Sequence, residues 1–367
     1  MRNASRTLAG ITTLAISAVG HAASAQDLGS RIYAYLGAQV EEHGIPGVTA
    51  AVVRDGRVLY EGAFGVRRLG GDEKLTPDHV FHFASVSKPF VATAIVQLAE
   101  RGMLGLENRV TEHLPYFRLA DDRYRSITIR RMLNHTSGMV DVLDYEWGSP
   151  QYDEGAAERF VREMATDGML WAPGNGWRYS NKAFDALGDL IAKVSGLSFE
   201  EYVQTYILDP AGMQESSFIY PEIDENLRTS GHRGTPARVS DVYPYNRRHA
   251  PSSTLNSSVS QMVGWMLVNL GRGELHGQRI LPRESYDLLW GPSTETTTDG
   301  VRIGLSWFLS DYEGHSIVGH GGGDTGFRSY ILLMPDDGIG VVIASNWSGT
   351  DTAALANEIA HLVLAAR

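Results

Sequence analysis

The sequence predicts a mixed α/β (α+β) fold in which an antiparallel sheet is flanked by the two terminal helices and an all-helical domain is inserted into the middle of the chain. Two observations carry that expectation. Strand-like runs cluster towards the two ends of the 367-residue chain, and the long stretch between them, from about Pro89 to Arg248, reads as helices and loops.

Near the N-terminal end, Leu28, Ile32, Leu36 and Val40 recur every four residues, so they share one face of a helix, and Gly44 and Pro46 end it. Two β-rich runs follow, Gly47 to Arg54 and Arg57 to Gly65, and the Asp55-Gly56 pair between them is a hairpin signal. In the middle region, Val91, Ile95 and Leu98 mark the face of a helix begun at Ser85, and Phe184, Leu187, Leu190 and Ile191 mark another. Ser258 to Gln261 reads as a capping box that opens a helix through Met262, Trp265 and Leu267. Strands are expected again at Val301 to Ser310, Ser316 to Gly319, Phe327 to Met334 and Ile339 to Ser345, with a tight turn at Pro335 to Gly338. A last helix is expected from Thr352 to Ala366. The expected division is residues 26–88 with 249–367 as the sheet domain and 89–248 as the helical domain, the active site lying in the cleft between them.

Composition narrows the function classes. The hydrophobic fraction of 43% and charged fraction of 20% are those of an ordinary globular protein. Residues 1–25 read as a secretion signal, with Arg2 and Arg6, an apolar stretch from Leu8 to Val19, and Ala23-Ser24-Ala25 before Gln26. A periplasmic or secreted protein with no stable membrane span after signal cleavage is therefore expected. The absence of cysteine removes disulfides and lipid attachment at the cleavage site. A formal charge of −11, which loss of two signal arginines makes more negative, argues against nucleic-acid and anionic-lipid partners. The twelve histidines form no HExxH or HxH pattern, so neither a metal site nor another cofactor is expected.

Chemistry concentrates in three motifs. Ser85-Val86-Ser87-Lys88 places a hydroxyl and an amine on one helix face, where a desolvated lysine near neutrality can activate a serine nucleophile. Lys88 is the only one of the four lysines with a serine three positions before it. Tyr179-Ser180-Asn181, the only Y-x-N, supplies a phenol able to share a proton with a lysine and an amide able to orient lysine and substrate; a loop tyrosine beside a helix-capping asparagine reads the same way. His320-Gly321-Gly322-Gly323, between two expected strands, would let a substrate backbone lie along the strand and expose an N–H to a developing oxyanion. A second H-x-G, His232-Arg233-Gly234, falls in a polar stretch without strand context. No G-x-S-x-G occurs, which sets aside an α/β-hydrolase.

In this order the three motifs resemble the serine β-lactamase and penicillin-recognising hydrolase superfamily, with its β-lactamase/transpeptidase-like fold, and most closely its class C-like branch. That branch includes class C β-lactamases, D-Ala-D-Ala carboxypeptidases, D-aminopeptidases and family VIII carboxylesterases. The resemblance extends over Ile127-Thr128-Ile129-Arg130-Arg131-Met132-Leu133-Asn134-His135-Thr136-Ser137-Gly138, Pro173-Gly174, Pro210-Ala211-Gly212-Met213 and Gly326-Phe327. It implies an acylated nucleophile at Ser85, a proton partner at Lys88, and a general base or leaving-group acid at Tyr179. It also implies substrate positioning by Asn181, His320 and Gly322, and an oxyanion hole from the amides of Ser85 and Gly323. His320 stands where many relatives have lysine, and would polarise Tyr179 or meet a substrate carboxylate. His135 is expected to bond a loop backbone beside the site. Asp324 and Arg328 would either meet a charged substrate group or neutralise each other. Three functions stay open: a hydrolase of amide or ester bonds in small molecules, short peptides or peptidoglycan fragments, a β-lactamase, and a penicillin-binding sensor with little turnover.

Overall fold

The computed structural model describes residues 15–366, with side chains from residue 27 onward. The first 14 residues of the expected signal lie outside the described residues, and the remainder is backbone of the first helix. That helix, α1 (Ala15–His43), buries Leu28, Ile32 and Leu36 and stops at Gly44, whose φ of +61° is the left-handed geometry that ends a helix. The hairpin follows as β1 (Gly47–Arg54) and β2 (Arg57–Gly65). Asp55 and Gly56 both have positive φ, as the expected two-residue turn requires.

Next come β3 (Phe81–His82), a single 3₁₀ turn at Ser85–Ser87, and α2 (Lys88–Glu100). The helix expected to show one apolar face is instead buried from Lys88 through Leu98, because it runs through the centre of the larger core. Helices α3 (Ile129–Leu133) and α4 (Asn181–Ser195) follow, then α5 (Ala250–Ser253), β4 (Asn256–Ser257) and α6 (Val259–Leu270). Ser258 caps α6 by accepting from Gln261 N–H at 3.1 Å, while the Gln261 side chain turns to Glu215 N–H, so only half of the expected capping box forms.

The remaining strands of the large sheet are β5 (Thr294–Glu295), β6 (Arg302–Ile303), β7 (Phe308–Tyr312), β8 (His315–Asp324), β9 (Phe327–Met334) and β10 (Ile339–Ser345), followed by α7 (Thr352–Ala365). The eight-stranded sheet has the order β2-β1-β10-β9-β8-β7-β6-β5, antiparallel throughout. Both its faces are covered. Val48, Ala50 and Val52 join Leu332, Val341 and Ile343 beneath α1 and α7, whereas Ala51, Val53, Ile331 and Val342 pack with Met262, Trp265 and Met266 of α6 and with α2. Double coverage is why Gly47 through Val53 are all buried, without the polar alternation of a one-sided sheet.

Three local expectations are corrected. The run Val301 to Ser310 is not one strand but a tight hairpin, because Leu305 N–H leaves the sheet to bond Leu289 O and Ser306 N–H bonds Leu133 O. The strand expected to end at Gly319 continues to Asp324, so the glycine triplet lies inside β8 and pairs residue by residue with β9. His232–Arg233 pairs with Arg238–Val239, so the second H-x-G does have strand context. His232 is nonetheless structural: it is fully buried, Nδ1 donates to Asn346 O at 2.7 Å, and Nε2 accepts from Leu69 N–H at 3.0 Å.

Candidate active site

From His79 to Leu98 every residue is buried except Ser85. The chain reaches it through strained backbone. Ala84 has φ 49° and ψ −129°, outside the usual regions for a residue with a β-carbon. That geometry is held from outside: Phe83 N–H donates to Leu255 O at 2.7 Å, and Ser87 Oγ donates to Ala84 O at 2.6 Å while accepting from Leu255 N–H.

Lys88, three residues on, is completely buried at the start of α2. Its Nζ donates to Ser85 Oγ at 2.9 Å and to Ser252 O of α5 at 2.7 Å. Burial pushes its pKa down to about 7; the carboxylates of Asp185, Asp141 and Asp324 oppose the shift without cancelling it. The amine is therefore poised between its neutral and charged forms near neutral pH, which suits a general base.

Tyr179 lies beside that amine, with Nζ 4.8 Å from its ring centroid. Burial raises the phenol's pKa well above its ordinary value, while a hydrogen bond with Ser85 works against the shift. Tyr179 thus holds its proton at neutral pH. Its ring stacks on His135 (centroids 4.2 Å apart), lies parallel to Phe308 at 6.5 Å, and stands 6.3 Å from His320.

Asn181 begins α4, capped by Ser180, whose Oγ accepts from Ala183 N–H. Its backbone N–H and its Nδ2 both donate to Asp141 Oδ1, at 2.7 and 3.0 Å, which fixes the amide flip and leaves the Asn181 Oδ1 buried without a partner among the described residues. The alternative of a helix-capping asparagine is not met, because Ser180 does the capping, and Asn181 offers an acceptor without a partner among the described residues.

His320 is buried in β8 and its pKa is pushed down to about 3, by burial first and by Lys88 second. Gly321 O is an acceptor only, so the 2.7 Å contact makes Nδ1 the protonated nitrogen and Nε2 a bare acceptor, buried and unpaired among the described residues. A neutral acceptor offers no positive charge to a carboxylate. Gly322 is explained by packing: a β-carbon there would overlap Phe83 O and Ser329 Oγ, the latter itself donating to Phe83 O at 2.7 Å. Bare backbone at that point lets β8 lie against the segment carrying Ser85, with Gly323 next to it on the exposed side.

Asp324 and Arg328 do not pair through their side chains. Asp324 Oδ2 accepts from Ser253 Oγ at 2.6 Å and from His82 Nε2 at 2.8 Å, tying β8 to α5 and β3. Arg328 donates instead to the main-chain oxygens of Asp324 and Phe327. His135 meets its expectation, its Nδ1 accepting from Ser180 N–H at 3.1 Å. Sequence reasoning missed Ser252, Asp141 and Phe308, which reach the site from separate elements with no spacing to mark them.

A partly exposed serine in a buried run, a lysine amine against it, a phenol and a neutral imidazole are the parts an acyl-transfer centre needs. Comparison with known proteins agrees. The β-lactamase family model matches residues 32–365. The chain is 30% identical over 318 residues to penicillin-binding protein 4 of Amycolatopsis lactamdurans, covering 83% of this chain and 82% of that protein. It is 27% identical over 329 residues to penicillin-binding protein 4* of Bacillus subtilis (strain 168), covering 83% and 69%. The octameric penicillin-binding protein homologue from Pyrococcus abyssi superposes with a TM-score of 0.81 at 25% identity, covering 92% of this chain and 77% of that one. The chain therefore belongs to the β-lactamase family.

Proposed function

We propose that this protein is a serine acyl hydrolase that cleaves amide or ester bonds of small molecules or short peptides through an acyl-enzyme on Ser85, in the periplasm or outside the cell. The observation that carries the reading is the 2.9 Å contact between Lys88 Nζ and Ser85 Oγ, made by an amine whose pKa is held to about 7. Neutral Lys88 takes the Ser85 proton as Oγ attacks the carbonyl carbon. The carbonyl π electrons move to oxygen, where the amides of Ser85 and Gly323 receive the charge. When the intermediate collapses, the leaving group departs with a proton supplied by the Tyr179–Lys88 pair. Water then repeats the sequence on the ester carbonyl and restores Ser85.

His320 shapes the substrate class. Its Nε2 lone pair is buried, has no partner among the described residues, and offers no positive charge to a carboxylate. Uncharged short esters and peptide-like amides are therefore the preferred substrates, ahead of anionic β-lactams. The names of the relatives favour a second reading, slow or stable acylation by penicillins. One panel separates the two: a short-chain p-nitrophenyl ester, D-alanyl-D-alanine, a D-amino acid amide and a chromogenic cephalosporin. Higher kcat/KM for the ester or an amide supports the proposal; fastest turnover of the cephalosporin would make β-lactamase the better name, and acylation without turnover the sensor.

A further inference from the structure

We propose that His135 is a positioning residue whose ring and backbone together set the orientation of Tyr179. The inference rests on the reading of Tyr179 as part of the proton relay, and it deepens that reading. Three contacts bracket the tyrosine. Arg178 N–H donates to His135 O at 2.9 Å, and Ser180 N–H donates to His135 Nδ1 at 3.1 Å, so the residues on both sides of Tyr179 hang from this one residue. Between those two bonds the imidazole lies over the tyrosine ring, with centroids 4.2 Å apart and planes 27° from parallel.

His135 is itself fixed firmly enough to serve as a template. It is fully buried, its φ of +60° is rare for a residue with a β-carbon, and its N–H donates to Met132 O at the end of α3. Phe184 of α4 packs on its ring at 5.1 Å and Trp177 meets it edge-on at 6.1 Å. The residue type follows from the contacts. Ser180 N–H needs an acceptor and Tyr179 needs a flat ring, and neutral histidine with hydrogen on Nε2 provides both, whereas phenylalanine lacks the acceptor and asparagine the ring. Burial, with Lys88 and His320 nearby, keeps the imidazole in that neutral form. A small displacement of a reacting group costs up to about 10²-fold in rate, so a template for Tyr179 acts on turnover more than on binding.

The test is a double-mutant cycle on hydrolysis of ethyl butyrate, whose leaving alkoxide needs a proton. His135→Ala is expected to lower kcat by about tenfold or more with KM changed less than about threefold. In the Tyr179→Phe background the same change should alter kcat by less than about twofold. His135→Phe, which keeps a ring, and His135→Asn, which keeps an acceptor and tolerates positive φ, should each retain more kcat than His135→Ala. If His135→Ala fails to fold, the cycle is run with these two. Wild-type kcat in the His135 variants, or an equal loss in both backgrounds, would overturn the proposal while leaving the Tyr179 reading intact. Wild-type kcat for Tyr179→Phe would overturn both.

Discussion

Lys88 shows how one residue links stability to function. Its amine is charged in an unfolded chain up to about pH 10.5 but loses its proton near pH 7 in the folded one. Across that window the unfolded state binds more protons at this site, so the group's contribution to stability rises with pH, and its penalty is complete below pH 7. Lys88→Met should therefore raise Tm more at pH 6 than at pH 9, while kcat falls by about 10²-fold or more; differential scanning fluorimetry at both pH values and ester kinetics check this. For the wild type, kcat/KM should rise with pH through about 7, because the neutral amine is the working form. A profile that falls over that range would assign Lys88 another role. Ser85, Lys88 and Tyr179 were legible because each motif is short and local. Asp141, whose carboxylate fixes Asn181 from 40 residues away, left no sequence signal, since only the fold brings the two together.

At the scale of elements, legibility followed the reach of the interactions. The β1–β2 turn was plain because two adjacent residues decide it, and β9 and β10 kept their expected limits because apolar runs and a tight turn bound them. The β6–β7 hairpin was hidden because the bonds that break the run come from Leu289 and Leu133, far away in sequence. The continuation of β8 through Gly321–Gly323 was hidden for a related reason: glycine disfavours strands, and only the close approach of Phe83 explains why it is needed here. That approach is testable. Gly322→Ala should cost about 1–3 kcal/mol in denaturant unfolding and most of the activity, by pushing β8 away from the Ser85 segment. At Gly321 the nearest neighbour of a new methyl is the Tyr330 ring at 3.3 Å, which has to give by only a few tenths of an ångström, so Gly321→Ala should cost much less stability than Gly322→Ala. Equal losses in the two variants would refute the packing account.

For the whole molecule, the sheet between terminal helices was legible because each end of the chain carries its own apolar pattern, and the two ends meet as β1 pairs with β10. The buried surroundings that tune Lys88 and His320 were not, because burial is a property of the assembled fold. The proposed preference for substrates without a carboxylate beside the scissile bond rests on an uncharged His320 and on the net negative charge of the chain. His320→Lys should accordingly narrow the kcat/KM gap between neutral esters and a chromogenic cephalosporin, and an unchanged ratio would separate His320 from specificity. Secretion is checked by N-terminal sequencing of protein recovered from a periplasmic or culture fraction, where the chain should begin at Gln26; an intact Met1 in the cytosol would rule it out. The most direct test of the account is mass spectrometry after reaction with a fluorophosphonate. One phosphonyl group is expected, on the peptide carrying Ser85, absent in Ser85→Ala and formed much more slowly in Lys88→Ala. An adduct on any other serine, or a Ser85→Ala protein that still hydrolyses esters, would contradict it.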